Sequence, residues 1–163
     1  MTHEKTHKYR MNLRWTGNRG TGTSGYRDYA RDHEIAAEGK TARLPCSADA
    51  AFRGDRGRYN PEELLVASLS SCHMLWVLHL CADAGIVVME YGDTPEGTMV
   101  EHADGSGEFK SATLHPAIRL APQSADRAAD LDGIHHRAHE LCYVSRSVNF
   151  PVDIAPVNVQ AAT

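Results

Sequence analysis

The stretch NPEELLVASLSSCHMLWVLHLCADAG, residues 60–85, predicts a long helix that decides the fold of this chain. Asn60 is a good N-cap, and Pro61 suits the first helical turn because it lacks an N–H that would go unpaired there. Glycine is the residue that most often ends a helix, so the predicted helix stops at Gly85. The segment is long enough to run through the middle of a small domain.

The predicted helix is apolar almost all round its circumference. Its large apolar side chains do not fit on one stripe: Val66, Leu69, Trp76, Val77 and Leu80. A helix of this kind must be covered on most sides. The rest of the chain offers only about one sheet and one more helix as cover. This shortage favours a partner chain and therefore a homodimer.

The segments around this helix predict strands and one further helix. Strands are predicted at 9–15, 26–37, 42–46, 86–91, 98–102, 108–120 and 150–159, and a helix capped by Ser124 at 125–141. This order of elements predicts an α+β fold with antiparallel strand pairing. No linker, repeat or low-complexity segment divides the sequence, so a single domain over residues 1–163 is expected.

Composition excludes several classes of protein. The 163 residues carry a net charge of −4 without a long basic run, which gives nucleic-acid binding no electrostatic support. The N-terminus lacks the apolar core of a signal peptide, and four cysteines without such a signal indicate the reducing cytoplasm. The longest apolar stretch, 64–82, contains serines and histidines, so it is interpreted as a core helix and no membrane association is expected.

Two of the cysteines are candidates for redox chemistry. Cys72 lies in the middle of the apolar helix, and its helical neighbours Leu75 and Trp76 would form an apolar pocket wall. Cys142 ends the second predicted helix in HHRAHELCYVSRS, where it could serve as a distant partner thiol. Burial among apolar groups would raise the pKa of a thiol and make it inert, so a reactive Cys72 needs a nearby cation. Both thiols can also be read as small core residues.

The motif NPEELL, with Cys72 twelve residues after Asn60 and Cys142 near the end of the chain, resembles the OsmC/Ohr family of thiol peroxidases. The resemblance extends from about Trp15 to the C-terminus. It implies an OsmC-like fold, in which an antiparallel sheet wraps around a long central apolar helix and two chains form an intertwined homodimer. It departs from the family at Tyr143, where many relatives have proline.

The resemblance also implies a reaction. Cys72 would reduce an organic hydroperoxide to an alcohol and become a sulfenic acid, which Cys142 would convert to a disulfide. An external dithiol, lipoyl-type in some of the family, would restore the thiols, and no cofactor or metal is implied. Cys46 and Cys81 match no family position; Cys81 lies about 180° around the helix from Cys72.

The charged residues of the family's site match positions in this chain less clearly than the two cysteines do. Glu62, the third residue of NPEELL, matches the carboxylate that orients an arginine against the thiolate, although ten helical residues separate it from Cys72 by about 15 Å. Arg53 resembles the OsmC-type arginine and is narrowly preferred, while Arg19 resembles the Ohr-type one. The nearby Arg56 and Arg58 stay open as alternatives.

Two other functions remain open from sequence. One is a non-catalytic protein of the same fold that binds a small apolar ligand. The other is a metal-binding protein that uses His135, His136 and His139, since histidines at i and i+4 of a helix can chelate a metal. Histidines that pack at an interface or face solvent are the simpler interpretation of this cluster.

Overall fold

A computed structural model describes residues 4–161 of the chain and confirms the predicted α+β class. The chain divides into two compact units, with the boundary between Leu64 and Leu65. Each unit has its own strands. The expectation of one domain over residues 1–163 stays a prediction.

The first unit contains a three-stranded antiparallel sheet. Its strands are β1 (Asn12–Trp15), β2 (His33–Ala36) and β3 (Leu44–Cys46), with β2 in the middle. These strands are shorter than those predicted at 9–15, 26–37 and 42–46, because the glycine- and charge-rich residues around them form turns. A 3₁₀ turn at Ala50–Phe52 then leads towards the long helix.

The long helix α1 (Pro61–Asp83) begins and ends where the sequence predicts. The N–H of Glu63 donates to the Asn60 side-chain oxygen at 2.8 Å, and the Glu63 carboxylate accepts from the Asn60 N–H at 3.1 Å. This reciprocal pair is a capping box that satisfies two donors of the helix N-terminus. At the other end, Gly85 adopts a φ of 70°, a conformation that glycine takes without strain. The helix bounds therefore follow from local chemistry alone.

Only one narrow face of α1 is buried. The buried side chains recur every fourth residue, at Leu69, His73, Val77 and Cys81. The other faces are partly or largely open, and Leu75 is 63% exposed. The chain therefore leaves much of its most apolar helix without cover.

The second unit contains two three-stranded sheets. Its strands are β4 (Val88–Gly92), β5 (Glu96–Glu101), β6 (Gly107–Leu114), β7 (Ala117–Leu120), β8 (Val152–Ile154) and β9 (Val157–Ala161). One sheet has the order β4-β7-β9 and the other β5-β6-β8. Pairs β4–β7 and β5–β6 are antiparallel, as predicted, whereas β8 and β9 pair in parallel with β6 and β7. The prediction of uniformly antiparallel pairing is therefore wrong for the last two strands.

Two predicted strands are each divided by a proline. The strand predicted at 108–120 breaks at Pro116, and the one at 150–159 breaks at Pro156. Proline has no N–H to donate to a strand ladder, so it weakens the pairing at both positions and favours a break there. Beside the first break, the N–H of His115 donates instead to the Asp93 carboxylate at 2.7 Å. Each break moves the chain from one sheet of the second unit to the other.

The second helix starts later than predicted. A 3₁₀ segment covers Pro122–Asp130, and α2 spans only Leu131–Leu141. Ser124 does not cap the helix; its hydroxyl accepts a hydrogen bond from the Val87 N–H at 3.0 Å. The prediction of a helix over 125–141 capped by Ser124 is therefore wrong in its first part.

Two buried clusters hold the second unit together. One contains Leu69 of α1 with Ala112, Leu114 and Val152 of the β5-β6-β8 sheet. The other joins α1 to β7 and α2 through these side chains: Val77, Cys81, Ile86, Ile118, Leu120, Leu131 and Ala138. Burial of these groups fixes α1 against both sheets. Cys72 lies on α1 between the portions that enter the two clusters.

Candidate functional site

Cys72 and Cys142 lie side by side in the second unit. Cys142 is the C-cap of α2, and its extended backbone turns the chain back towards α1. The Cys72 thiol neighbours the Cys142 thiol and the backbone N–H groups of Val144 and Tyr143, close enough for all three to shift its pKa. Both cysteines are reduced. Two thiols far apart in sequence are therefore brought close together in the second unit.

The surroundings of Cys72 favour its neutral form. Burial is the largest cause that raises the pKa of the Cys72 thiol, and the neighbouring Cys142 raises it further. The N–H groups of Val144 and Tyr143 lower it, but the net shift is upward. Reactivity at neutral pH therefore requires a positive charge in addition to these backbone donors.

Ser145 holds the second thiol. The Cys142 sulfur is fully buried and accepts hydrogen bonds from the Ser145 N–H at 3.4 Å and from its hydroxyl at 3.3 Å. Sulfur accepts hydrogen bonds weakly, and it does so more strongly when it carries charge. These two donors therefore orient the Cys142 side chain.

An apolar cavity of about 310 Å³ opens beside Cys72. Its walls are Leu75, Trp76, His79 and Tyr143. The Trp76 ring meets the Tyr143 ring edge to face, with centroids 5.8 Å apart. Leu75 and Trp76 form the wall that helical spacing predicts. The cavity can hold a small apolar group against the sulfur.

Glu62 and Glu63 occupy different environments in the first turn of α1. Glu63 belongs to the capping box. The Oε2 atom of Glu62 is buried and has no hydrogen-bond partner among residues 4–161. A buried carboxylate oxygen is costly without a donor, so this atom is suited to accept from a cation. The proposed role of Glu62 stays a prediction.

The candidate arginines lie in loops of the first unit. Arg53 adopts a left-handed conformation with φ of 67° after the 3₁₀ turn, and its guanidinium lies 6.0 Å from the centre of the Tyr26 ring. Arg19 is exposed in the turn after β1. Arg58 pairs with Asp32 at 3.8 Å and is thereby engaged in a surface ion pair. The roles of Arg53 and Arg19 therefore stay predictions.

The histidine cluster of α2 is divided between core and surface. His135 is buried against His73 of α1, whereas His136 faces solvent and pairs with Glu140 at 3.4 Å. In the part of the chain that the structure describes, no three His, Cys, Asp or Glu side chains are arranged to hold a metal ion. Within those residues the structure therefore gives no support to the metal hypothesis for His135, His136 and His139. His73 lies midway between the apolar Leu69 and Val77 at four-residue spacing, and this spacing was the signal for its burial.

Comparison with known proteins agrees with the fold. The family model of OsmC-like proteins matches residues 54–156. A structure of an OsmC-like protein of unknown function from Vibrio cholerae is 25% identical, with a TM-score of 0.84, and the match covers 93% of this chain and 100% of that one.

More distant structures share the same architecture. An organic hydroperoxide resistance protein OsmC from Legionella pneumophila is 16% identical, with a TM-score of 0.65 and coverage of 96% and 99%. The organic hydroperoxide resistance protein OhrB of Bacillus subtilis is also 16% identical, with a TM-score of 0.59 and coverage of 94% and 98%. Among curated proteins, none matches the chain significantly.

Proposed function

Because the chain belongs to the OsmC-like family, we propose that it is a thiol-dependent peroxidase that reduces organic hydroperoxides. One observation carries the proposal: Cys72 borders an apolar cavity and has a second reduced thiol, Cys142, directly beside it. A cavity alone would suit a binding protein, and a thiol alone would suit a core residue. The combination matches what reduction of an apolar peroxide requires.

The reaction follows from these groups. The Cys72 thiolate attacks the terminal oxygen of the hydroperoxide, and the O–O bond breaks. The oxygen bound to carbon leaves with the carbon chain and takes up a proton to give the alcohol. Cys72 is then a sulfenic acid. The Cys142 sulfur attacks it, an S–S bond forms, and the S–O bond breaks to release water. An external dithiol, for which a lipoyl-type compound is one candidate, returns both cysteines to thiols and is itself oxidised to a disulfide.

Activation of Cys72 is assigned to a cation held by Glu62. The raised pKa of Cys72 means that a positive charge would greatly increase the thiolate fraction at neutral pH. We assign this charge to Arg53, with Arg19 as the alternative, on the resemblance to the family's site. The buried and unpartnered Oε2 of Glu62 supports the pairing, since an arginine would satisfy it.

We further propose that two chains assemble around α1. In its most apolar window α1 has a mean hydropathy of 1.7, yet only 22% of that window is buried. By length and composition α1 could also cross a bilayer, a criterion that core helices of soluble proteins meet as well. A second copy of the chain would cover the open apolar faces and is the assembly that the family resemblance implies.

Light scattering of the purified protein tests this assembly. We expect a mass of about twice that of one chain at micromolar concentration, because the exposed apolar faces of α1 favour association. Replacing the exposed Leu75 by glutamate should shift the protein towards monomer, whereas the same change at the exposed and polar Gln123 should not. A wild-type protein that is monomeric under these conditions would contradict the proposal.

Hydroperoxide consumption is the direct test of the function. With cumene hydroperoxide and a dithiol, we expect catalytic loss of peroxide, and without the dithiol we expect loss of two titratable thiols per chain. Cys46 and Cys81 should stay reduced, because both are buried and Cys81 lies about 13 Å further along α1 than Cys72. A non-catalytic ligand-binding protein would give neither signal, and several dithiols compared in parallel would identify the preferred reductant class.

A further inference from the structure

A hydrogen bond between two buried imidazoles joins the helices that carry the two thiols. His73 follows Cys72 directly on α1 and is fully buried, while His135 lies on α2 and is 4% exposed. The Nε2 of His73 is 3.0 Å from the Nδ1 of His135, and the two rings are nearly parallel, with an angle of 10° between them. The distance is that of a well-formed hydrogen bond.

Both rings are neutral at neutral pH. Burial, followed by the proximity of His135 and His139, lowers the pKa of His73 to about 4. Burial also lowers the pKa of His135, against the opposing effect of Asp132 and Asp93. A neutral imidazole has one N–H and one lone pair, so two neutral rings can form one directional bond between them.

Apolar side chains of the two helices also share a buried cluster. Leu131 and Ala138 of α2 belong to the same cluster as Val77 and Cys81 of α1. Apolar contacts of this kind tolerate small shifts along the helix axis, whereas a hydrogen bond weakens steeply when its distance or angle changes. The His73–His135 bond is therefore suited to restrict shifts of α2 along α1.

We propose that His73 and His135 are a positioning pair that holds Cys142 where it can close a disulfide with Cys72. The two histidines lie close to the two cysteines along the chain: His73 is adjacent to Cys72, and His135 is two helical turns before Cys142. Disulfide closure is sensitive to such placement, because the Cα atoms must lie within about 7 Å of each other. This inference rests on the proposed function and assigns the pair to its second step, the condensation of the Cys72 sulfenic acid with the Cys142 thiol.

Matched variants at His135 test the pair. Asparagine can place its amide near the position of the histidine Nδ1 and keep the bond to His73. Leucine is close to asparagine in shape but has no hydrogen-bond donor or acceptor. In single-turnover reactions with one equivalent of cumene hydroperoxide, we expect His135→Leu to slow disulfide closure about tenfold, as loss of a buried hydrogen bond would. We expect the first step, loss of the Cys72 thiol, to change less than about twofold.

Control variants separate positioning from general damage. His135→Asn should close the disulfide near the wild-type rate, as should His136→Leu, which removes the exposed neighbouring histidine. His73→Gln and His73→Leu repeat the comparison from the other ring and keep the test available if His135→Leu does not fold. Equal closure rates in the leucine and amide variants, or an equal loss in both steps, would overturn the proposal.

A chemical oxidant keeps this test independent of the peroxidase activity. Diamide oxidises neighbouring thiols to a disulfide without a peroxide, and intact-mass measurement reports the loss of two hydrogens. We expect the same order of closure rates among the variants with diamide as with hydroperoxide. If the wild-type protein reacts with diamide but not with hydroperoxide, the proposed peroxidase function is wrong. The closure rates of the variants with diamide still decide for or against the positioning pair.

Discussion

Replacing Cys72 by serine is expected to abolish peroxidase turnover, with a loss of at least about a thousandfold. A serine hydroxyl is far less ionised than a thiol and is a poorer nucleophile towards the O–O bond. Steady-state consumption of cumene hydroperoxide with a dithiol measures the effect. The cavity and the contacts of α1 should be preserved, because the substitution changes one atom.

Cys81→Ala is the matched control for this substitution. It removes a thiol from the same helix at a position that is buried in the core and faces away from Cys72. We expect it to reduce stability modestly and to leave turnover close to that of the wild-type protein. Wild-type turnover in Cys72→Ser, or equal loss in both variants, would refute the assignment of Cys72 as the attacking thiol.

Replacing Cys142 by serine is expected to stop the reaction at the first oxidised state. In the wild-type protein, one equivalent of hydroperoxide should produce an intramolecular disulfide and a mass lower by two hydrogens. In Cys142→Ser no thiol is available to condense with the sulfenic acid, so Cys72 should be oxidised further to sulfinic and sulfonic acids by excess peroxide. Intact-mass spectrometry distinguishes these states.

Peptide mapping of the oxidised wild-type protein identifies the bridge itself. We expect Cys72 joined to Cys142, the neighbouring thiol that shifts its pKa in the folded chain. Cys46→Ser serves as the control, since Cys46 is buried in β3 of the first unit and should form no bridge. A bridge from Cys72 to Cys46 or Cys81, or none at all, would be incompatible with the resolving role of Cys142.

The elements that sequence predicted best are those defined by local chemistry. Asn60, Pro61 and Gly85 fix the bounds of α1 through capping and backbone preference, and these effects act within a few residues of chain. The apolar composition of α1 likewise predicted a helix that one chain leaves incompletely covered, and Leu75 is open as expected. Features of this kind can be predicted without knowledge of the tertiary fold.

The elements that sequence missed depend on distant partners. Strands β8 and β9 pair in parallel with β6 and β7, and no local pattern in their short segments distinguishes parallel from antiparallel pairing. Pro116 and Pro156 indicate strand breaks in the sequence, but the apolar residues around them favoured the prediction of continuous strands. Ser124 has the side chain of a good cap, but its hydroxyl is used by a backbone N–H from the loop before β4.

The candidate site was predicted in part. The family motif pointed to Cys72 and Cys142, and helical spacing placed Leu75 and Trp76 beside the first thiol. Tyr143 was noted only as a departure from proline, whereas in the structure its ring lines the cavity. The partnership of His73 with His135 could not be predicted, because it depends on how α2 lies against α1.

The parallel pairing of β8 and β9 has a consequence for synthesis of the protein. On the ribosome, β6 and β7 are translated long before residues 152–161, and until then each lacks a neighbour on one side. Open strand edges attract other chains, and pairing that must wait for distant residues is slow to form. Both cysteines of the candidate site are also translated before this last segment. A nascent chain that stalls before Val152 would therefore carry both thiols of the candidate site on an incomplete fold. Addition of β8 and β9 covers the open edges of β6 and β7 and so protects the second unit from aggregation.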